Sequence, residues 1–294
     1  MDSTATDAWT IGRLLQWTTG YLRDHHSDSP RLDAELLLAE AVGYQRIELY
    51  TSFSEIPPEG QRGRFRELVR RRAAGTPVAY LLGRREFYSL EFRVTSDVLI
   101  PRPETEFLVV AALDRLRERG EPAQATIADV GTGSGIVAVS LAKHAPGATF
   151  TAIDICPKAI DVAKANARSH GVDDRIRFAV GDLLTPLDET PRLDLVLSNP
   201  PYVSTAEMAD LSPEVAGFEP HLALEAGPQG TEIIQRLIPQ AATRLRPGGF
   251  LLIEISPMIE SKVHALIDSD GVFDLLPTIK DLAGLPRIVG ARRR

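Results

Sequence analysis

The spacing of apolar residues changes near residue 120 and divides the sequence into two regions. Residues 8 to about 84 show helical spacing with little strand character. One predicted helix begins at Ser29-Pro30 and ends before Gly43, and its inward face consists of Leu32, Leu36, Ala39 and Val42. A second begins after Pro57-Pro58, with Phe65, Leu68, Val69 and Ala73 inward. The pattern predicts a small helical bundle as an N-terminal domain of residues 1–84.

The pattern then changes twice. Residues 87–100 alternate and carry branched and aromatic side chains, which predicts a short β-hairpin in a linker of residues 85–103. Glu104 and Glu106 suit the first turn of a helix that continues to Leu116. Strands are then predicted at 126–130, 149–153, 175–180, 193–198 and 250–255, helices at 135–144, 157–170 and 231–245, and edge strands at 272–276 and 287–289. Such alternation predicts a domain of residues 104–294 with a mostly parallel sheet, helices on both faces and an antiparallel edge.

The composition is that of a globular protein in a reducing compartment. Hydrophobic residues make up 44% of the chain and charged residues 25%. The one cysteine, Cys156, excludes an internal disulfide, and the N-terminus lacks the basic start and apolar stretch of a secretory signal. No 18 apolar residues run together, so a cytoplasmic protein without a membrane partner is expected. The histidines include no H-E-x-x-H pairing, so no metal site is expected.

The charge distribution leaves two interpretations open. The formal net charge of -7 argues mildly against a nucleic-acid partner. A local cluster of arginines nevertheless occurs on the second predicted helix: Arg62, Arg64, Arg66, Arg70, Arg71 and Arg72. These could bind RNA phosphates or an acidic partner protein. Since residues 1–75 also hold 11 acidic residues, a solvated helix face is favoured.

A glycine-rich turn follows the first predicted strand of the second region. Its glycines, at 131, 133 and 135, permit positive φ and let a ligand approach the main chain at a helix N-terminus. The spacing is G-x-G-x-G and not the dinucleotide pattern G-x-G-x-x-G, because residue 136 is Ile. Following a strand that ends with Asp129, it resembles the first motif of Rossmann-like S-adenosylmethionine (SAM) methyltransferases. Asp154 ends the next strand, where a carboxylate can accept hydrogen bonds from both ribose hydroxyls.

A second acidic position ends the third predicted strand, at Asp182 and Leu183. In methyltransferases an acidic and an apolar residue here commonly hold the adenine amine and pack against the ring. An ordinary turn aspartate is the alternative. Cys156 lies near the proposed ribose site, and a small buried thiol is expected there.

The stretch LSNPPYVS, residues 197–204, ends the fourth predicted strand, at the edge where a parallel sheet places its ligand. A conjugated nitrogen is a poor nucleophile because its lone pair is delocalised. The Asn199 side-chain oxygen and the Pro200 carbonyl can each accept one of its N–H groups and favour a pyramidal nitrogen. Pro200 and Pro201 fix the carbonyl direction, and Tyr202 can stack on the flat group. This predicts methyl transfer to nitrogen without a side-chain base, against the alternative of a rigid capped turn.

Methyltransferases of base amines and of glutamine amides share [N/D]-P-P-[Y/F], and the rest of this chain resembles the second group. The segments 77–106, 129–142, 198–203, 212–230 and 280–289 resemble the release factor glutamine methyltransferase (PrmC/HemK) family. The resemblance implies a Rossmann-like class I SAM-dependent methyltransferase domain, preceded by an all-α bundle and a hairpin linker. It also implies methyl transfer from SAM, leaving S-adenosyl-L-homocysteine, to the glutamine of the Gly-Gly-Gln motif in class I peptide chain release factors.

The resemblance assigns functional roles to two sets of residues. The cofactor-binding set from the resemblance is Gly131, Thr132, Gly133, Ser134, Gly135 and Asp154. The predicted cofactor site also includes Asp182, Leu183 and Asn199. The substrate-binding set is Asn199, Pro200, Pro201 and Tyr202, of which Asn199, Pro200 and Tyr202 are catalytic. Both domains would grip the release factor, and the arginines of residues 62–72 are a candidate part of that surface. The chain differs from the family at Leu183, where an aromatic residue is common, and at residues 256–259, where a Gly and often a Gln are usual.

Two other functions fit parts of the sequence. A base-amine methyltransferase acting on DNA or RNA would share residues 199–202. A net charge of -7 would be unusual for such an enzyme, and residues 204–230 are too short for an inserted target-reading domain. Nucleic acid is therefore not expected as the substrate. A non-catalytic SAM-binding module would keep Asp154 and the glycines but would not need residues 199–202.

Overall fold

The computed structural model describes residues 8–118, 124–188 and 192–294, and the chain is divided into two units. One unit extends to Gly83 and also includes Pro213–Phe218. The other consists of Arg84–Ser212 and Glu219–Arg294. The sequence pattern places 213–218 in the second domain and does not anticipate this return of the chain. In the three described ranges, no helix is long and apolar enough to cross a membrane.

Residues 8–83 of the first unit contain five helices. They are α1 (Ile11–Asp24), α2 (Pro30–Val42), α3 (Glu48–Thr51), α4 (Glu59–Ala73) and α5 (Val78–Leu82). The inward face predicted for α2 is partly wrong, because Leu32 is 40% exposed and Leu36 is only half-buried. Helices α1, α4 and α5 all pack against α2, so its buried residues surround most of the helix instead of forming one stripe. A stripe is expected only where a helix has a single apolar contact face.

The arginines of residues 62–72 do not form one unpaired basic face. Arg72 is only 8% exposed, and its guanidinium contacts Asp33 at 2.7 Å and Glu214 at 2.9 Å. Most of the others pair with acidic side chains of the same unit: Arg62 and Arg66 with Glu59, Arg64 with Glu40, and Arg70 with Glu67. Arg72 therefore joins α4 to α2 and to Pro213–Phe218, and the solvated-face interpretation does not hold for this residue.

The second unit contains the strands and most of the other helices. The strands are β1 (Arg84–Phe87), β2 (Leu90–Arg93), β3 (Thr126–Val130), β4 (Thr149–Asp154), β5 (Ile176–Val180), β6 (Leu193–Ser198), β7 (Val203–Ser204), β8 (Glu225–Gly227), β9 (Leu245–Glu254), β10 (Phe273–Leu275), β11 (Ile279–Lys280) and β12 (Pro286–Arg293). The helices are α6 (Glu106–Glu118), α7 (Ile136–His144), α8 (Pro157–Ser169), α10 (Glu232–Arg244) and α11 (Glu260–Asp270), while α9 (Pro213–Phe218) belongs to the first unit.

Among the residues that the structure describes, the main sheet has eight strands in the order β10-β12-β9-β6-β3-β4-β5, with β11 paired to β12. Strands β5, β4, β3, β6 and β9 are parallel to one another, and β12 runs antiparallel to β9. Side chains alternate between two cores: Ile127 faces one, and Ala128 and Val130 face the other. Helices α6 and α7 cover the first core, and α10 and α11 cover the second. The predicted mostly parallel sheet with an antiparallel edge is confirmed.

Several element boundaries differ from the sequence prediction. The hairpin ends at Arg93 and not near residue 100, and its Phe87 and Phe92 are buried in the first core of the sheet, so it packs as part of the second unit. Strand β9 begins at Leu245, five residues before the predicted start, because Leu245 pairs with Leu193 ahead of an irregularity in the ladder. Helix α11 was not anticipated. A short turn over Pro257–Ile259, capped by the Ser256 hydroxyl, precedes it.

Replacing Arg72 with Met should destabilise the first unit by about 2 to 4 kcal/mol, because Asp33 would remain buried without its cation. Urea unfolding followed by circular dichroism measures the change. Arg70→Met on the same helix removes only an exposed pair and should unfold at the wild-type urea concentration. The double variant R72M/D33N should recover part of the loss, and no recovery at all would contradict a role for the ion pair.

Candidate active site

The glycine turn, residues 131–135, connects β3 to α7 and depends on left-handed backbone conformations. The φ angles are 73° at Gly131, 54° at Gly133 and 83° at Gly135. A Cβ atom on Gly135 would lie 3.1 Å from the Cβ of Ala163 on α8, whereas one on Gly133 would meet nothing within 4 Å. Gly135 is therefore required for helix packing as well as for φ, and the main chain at Gly133 is open to a ligand.

Asp129 fixes this turn from the inside. Its carboxylate accepts a hydrogen bond from the Thr132 hydroxyl at 2.6 Å and another from the Ala138 N–H at 3.2 Å. Burial raises the pKa of Asp129 to about 6, and these two donors partly oppose that rise. Ser134 is buried too, and its carbonyl accepts from the Asn166 side chain at 2.7 Å. The side chains of Thr132 and Asp129 thus bond within the protein and hold the shape of the turn.

Asp154 lies at the end of β4 with both carboxylate oxygens anchored. One oxygen accepts from the Gly133 N–H and the other from the Cys156 N–H, each at 2.9 Å. Burial raises the pKa of Asp154, and hydrogen bonds from main-chain N–H groups, that of Cys156 first, oppose the rise. A carboxylate has about four acceptor sites, so sites remain for two hydroxyl groups. The predicted ribose-binding position is therefore rigid and still has acceptor capacity.

A cavity of about 530 Å³ lies along the carboxyl ends of β3, β4, β5 and β6. Ligand pockets typically occupy about 300 to 1,000 Å³. The structure brings these predicted residues together in its lining: Gly131, Thr132, Gly133, Ser134, Asp154, Asp182, Leu183, Asn199, Pro200 and Pro201. Gly135 lies behind the turn against α8. Cys156 also lines the cavity and is half-buried, so the prediction of a buried thiol is wrong.

The wall near β5 combines a charge pair with a strained residue. Asp182 forms an ion pair with Arg236, and both line the cavity. Leu183 has φ 54°, a conformation that a bulky side chain rarely adopts, yet it is only 9% exposed. Such strain persists only where the surroundings impose it. Leu183 therefore presents a fixed aliphatic surface next to an acidic group, which suits a flat heterocycle with an amine.

Asn199 follows β6 on a fixed main chain. The hydroxyl of the preceding Ser198 donates to the Val130 carbonyl at 2.8 Å and so ties the end of β6 to β3. The Asn199 side-chain amide donates from Nδ2 to the Thr105 hydroxyl oxygen at 3.1 Å. Its Oδ1 is then on the opposite branch of the amide. Asn199 can therefore offer an acceptor to a ligand while its donor is occupied by the protein.

Tyr202 does not appear in the cavity lining and packs instead against the core on the α10 and α11 face of the sheet. Burial raises the pKa of Tyr202 to about 12, and the negative charge of Glu254 adds to the rise. The phenol is therefore neutral at physiological pH. A neutral, fixed ring can support the turn or serve as a stacking surface, but it cannot act as a base.

Sequence reasoning missed several residues at this site. Arg102, Thr105, Leu222 and Arg236 line the cavity, and the nearby Glu254 is buried. Arg102 pairs with the buried Glu219 at 2.5 Å. Thr105 lies between Glu104 and Glu106, and this part of the sequence indicates only the start of a helix. The remaining positions carry no local signal, because only folding brings them to this edge of the sheet.

Comparisons with known proteins agree with this geometry. Residues 13–83 match a family model described as PrmC N-terminal domain, and residues 105–213 match one described as Methyltransferase small domain. The release factor glutamine methyltransferase of Rhodopirellula baltica is 48% identical over 295 residues and covers 100% of both chains. That of Geobacter sulfurreducens is 39% identical over 286 residues, 97% of this chain and 98% of its own. The chain belongs to the release factor glutamine methyltransferase family.

Solved structures at lower identity share the fold alone. The catalytic domain of hMettl16, in complex with a MAT2A 3′UTR hairpin, aligns with a TM-score of 0.56 at 17% identity, over 77% of this chain and 81% of that chain. The Thermus thermophilus 16S rRNA N2 G1207 methyltransferase RsmC, in complex with AdoMet and guanosine, gives a TM-score of 0.50 at 19% identity, over 72% of this chain and 50% of that chain. Membership in the family confirms the resemblance, the class I fold, and a SAM-dependent methyltransferase as the enzyme class.

Asp154→Asn should weaken SAM binding by about 10- to 100-fold. A hydrogen bond to a charged acceptor contributes ~1.5 to 3 kcal/mol, and each 1.4 kcal/mol is tenfold in affinity. Isothermal titration calorimetry with SAM measures the loss. Asp161→Asn, an exposed position on α8, should bind with wild-type affinity. Equal affinities for D154N and the wild-type protein would remove Asp154 from the cofactor site.

Proposed function

We propose that this protein transfers a methyl group from SAM to the side-chain amide nitrogen of the glutamine in the Gly-Gly-Gln motif of class I peptide chain release factors, and so modulates translation termination. One observation carries the proposal. Asn199 and Pro200 line the same cavity as the glycine turn and Asp154, in a chain that is 48% identical over its full length to a release factor glutamine methyltransferase.

Residues of the cavity wall are proposed to hold the cofactor. When bound, SAM supplies a methyl group attached to a positively charged sulfur. Asp154 accepts hydrogen bonds from the two ribose hydroxyls, and the ligand lies against Gly133, where the space beside the main chain is open. Leu183 packs against the adenine ring with its fixed aliphatic side chain. Asp182 accepts from the adenine amine while it remains paired with Arg236.

Asn199 and Pro200 are proposed to activate the glutamine amide. Each accepts one N–H of the carboxamide nitrogen, which favours the pyramidal form with a free lone pair. Both acceptors also stabilise the positive charge that develops on this nitrogen, and they need no reorganisation because the main chain is fixed by Ser198. The surplus proton leaves to solvent, since a protonated amide is a strong acid. Tyr202 is proposed to contact the flat amide, and its core packing holds the ring in one orientation, as stacking requires.

The proposed partner is a release factor, and the proposed location is the cytoplasm, where translation takes place. A base-amine methyltransferase is the competing function, since the residues that activate a glutamine amide could also accept from an exocyclic amine. Incubation with labelled SAM and either a release factor or nucleic acid separates the two. If the label appeared only in nucleic acid, the protein would be a base-amine methyltransferase and the proposed function would be wrong.

Asn199→Ala should lower the rate of methyl transfer by about 100-fold or more, in line with the loss of one preorganised hydrogen-bond partner. Its SAM affinity should stay close to wild type. Mass spectrometry of a release factor incubated with SAM should show one added methyl group on the Gly-Gly-Gln glutamine for the wild-type protein. A release factor with that glutamine replaced is the matched control and should gain no mass. Full activity of N199A would refute the mechanism.

A further inference from the structure

The orientation of the Asn199 amide decides whether the site can work. The two branches of a carboxamide have nearly the same shape, but one accepts and the other donates. A half-turn about χ2 would point two donors at the N–H groups of the glutamine and repel them. Asn199 has no intrinsic preference between these orientations, so neighbouring groups must select one.

Thr105 contacts the donor branch. It lies in the short helical turn Pro103–Thr105 directly before α6, and it is 1% exposed. Its hydroxyl oxygen accepts from Asn199 Nδ2 at 3.1 Å. A hydroxyl can also donate, and a reversed hydrogen bond from Thr105 to the Asn199 oxygen would select the wrong orientation. The direction of the hydroxyl proton is therefore the deciding property.

The carboxylate of Glu254 can set the direction of the Thr105 hydroxyl proton. It ends β9, where Ile253 lies opposite Ser198 in the register, so Glu254 and Asn199 occupy the next positions on neighbouring strand ends. Glu254 is 2% exposed, and hydrogen bonding with the Thr105 side chain is the first of the causes that lower its pKa. A carboxylate accepts and does not donate. A Thr105 hydroxyl that donates to this carboxylate leaves its oxygen to accept from Asn199.

We propose that Thr105 and Glu254 are positioning residues that hold the Asn199 amide with Oδ1 directed toward the substrate nitrogen. The inference rests on the proposed function, because it assumes that Asn199 accepts from the glutamine amide. It goes beyond that function by naming two residues that do not touch the reacting atoms and that determine the polarity of the acceptor. The proposed chain of hydrogen bonds runs from Glu254 through Thr105 to Asn199.

The presence of an incompletely hydrogen-bonded, buried carboxyl group at position 254 supports this role. In the described ranges, no group donates to its buried Oε2. Burial raises the pKa of Glu254 to about 7, the Thr105 hydrogen bond and the charges of Arg287 and Arg102 lower it, and Glu104 raises it further. A buried carboxyl group without full hydrogen bonding destabilises a fold, so such exceptions call for a functional reason. A glutamine would fill the same space but could donate to Thr105 and reverse the chain.

The protonation state of Glu254 should therefore affect the rate. A protonated Glu254 can donate to Thr105, which frees the Thr105 hydroxyl to donate to the Asn199 oxygen. The charged and titratable groups around Glu254 are Arg102 and Glu104 before α6, Arg287 on β12, and Tyr202 after β6. Because the ionised form accumulates as pH rises through about 7, kcat of the wild-type protein should fall as pH falls through that value.

The test compares Thr105→Val, Thr105→Ser and Glu254→Gln with the wild-type protein on a release factor substrate. T105V keeps the shape without the hydroxyl and should lower kcat by about 10- to 100-fold, with KM and SAM affinity within about twofold. T105S restores the hydroxyl and should recover most of the lost rate. E254Q should lower kcat and remove the step near pH 7. Retained SAM binding shows that each variant is folded.

The outcomes separate this inference from the proposed function. An inactive N199A together with a fully active T105V would overturn the positioning role and leave the proposed function intact. An active N199A would overturn both. If T105V fails to bind SAM, the pH profile of E254Q decides: loss of the step supports the positioning role, and an unchanged profile with wild-type kcat overturns it.

Discussion

The parallel pairing of β4, β3, β6 and β9 is the constraint on which the rest of the structure depends. Parallel strands place all their carboxyl ends at one edge, and here the register aligns Val130 with Ile153 and with Ser198. Three loops from distant parts of the sequence therefore meet within one cavity. The main-chain N–H groups of Gly131 and Thr132 both donate to the Ile153 carbonyl, at 2.8 and 2.9 Å, so the glycine turn is fastened to the neighbouring strand.

This edge concentrates buried carboxyl groups, each with a different use. Asp129 accepts two hydrogen bonds on Oδ2, from the Thr132 hydroxyl and the Ala138 N–H, and so holds the shape of the turn. Asp154 is anchored by two N–H groups but keeps acceptor capacity for a ligand. Glu254 retains an unpaired oxygen within the described ranges. Burial raises the pKa of all three. The site thus combines fixed acceptors with low solvent access, the condition under which preorganised electrostatics is most effective.

Under the proposed function, the site needs acceptors and not a base. A carboxamide nitrogen is activated by groups that accept its N–H bonds, so the direction of each acceptor matters more than its pKa. Main-chain carbonyls have a fixed direction, especially between prolines. An asparagine does not, and its orientation must come from contacts. In the proposed mechanism, the contact of Asn199 with the buried Thr105 supplies this orientation.

The sequence by itself determined the fold class, the glycine turn and the positions of the motif residues, because these depend on local signals. Alternating strand and helix patterns, glycines at 131, 133 and 135, and prolines after β6 act over short distances. Tertiary structure alone decided which face of α2 is buried, that Arg72 is an internal ion-pair partner, that Pro213–Phe218 returns to the helical unit, and that Thr105 meets Asn199. These facts depend on residues that lie 39 positions apart for Arg72 and Asp33, and 94 apart for Asn199 and Thr105. No local pattern specifies such contacts, since they form only when the packed elements meet.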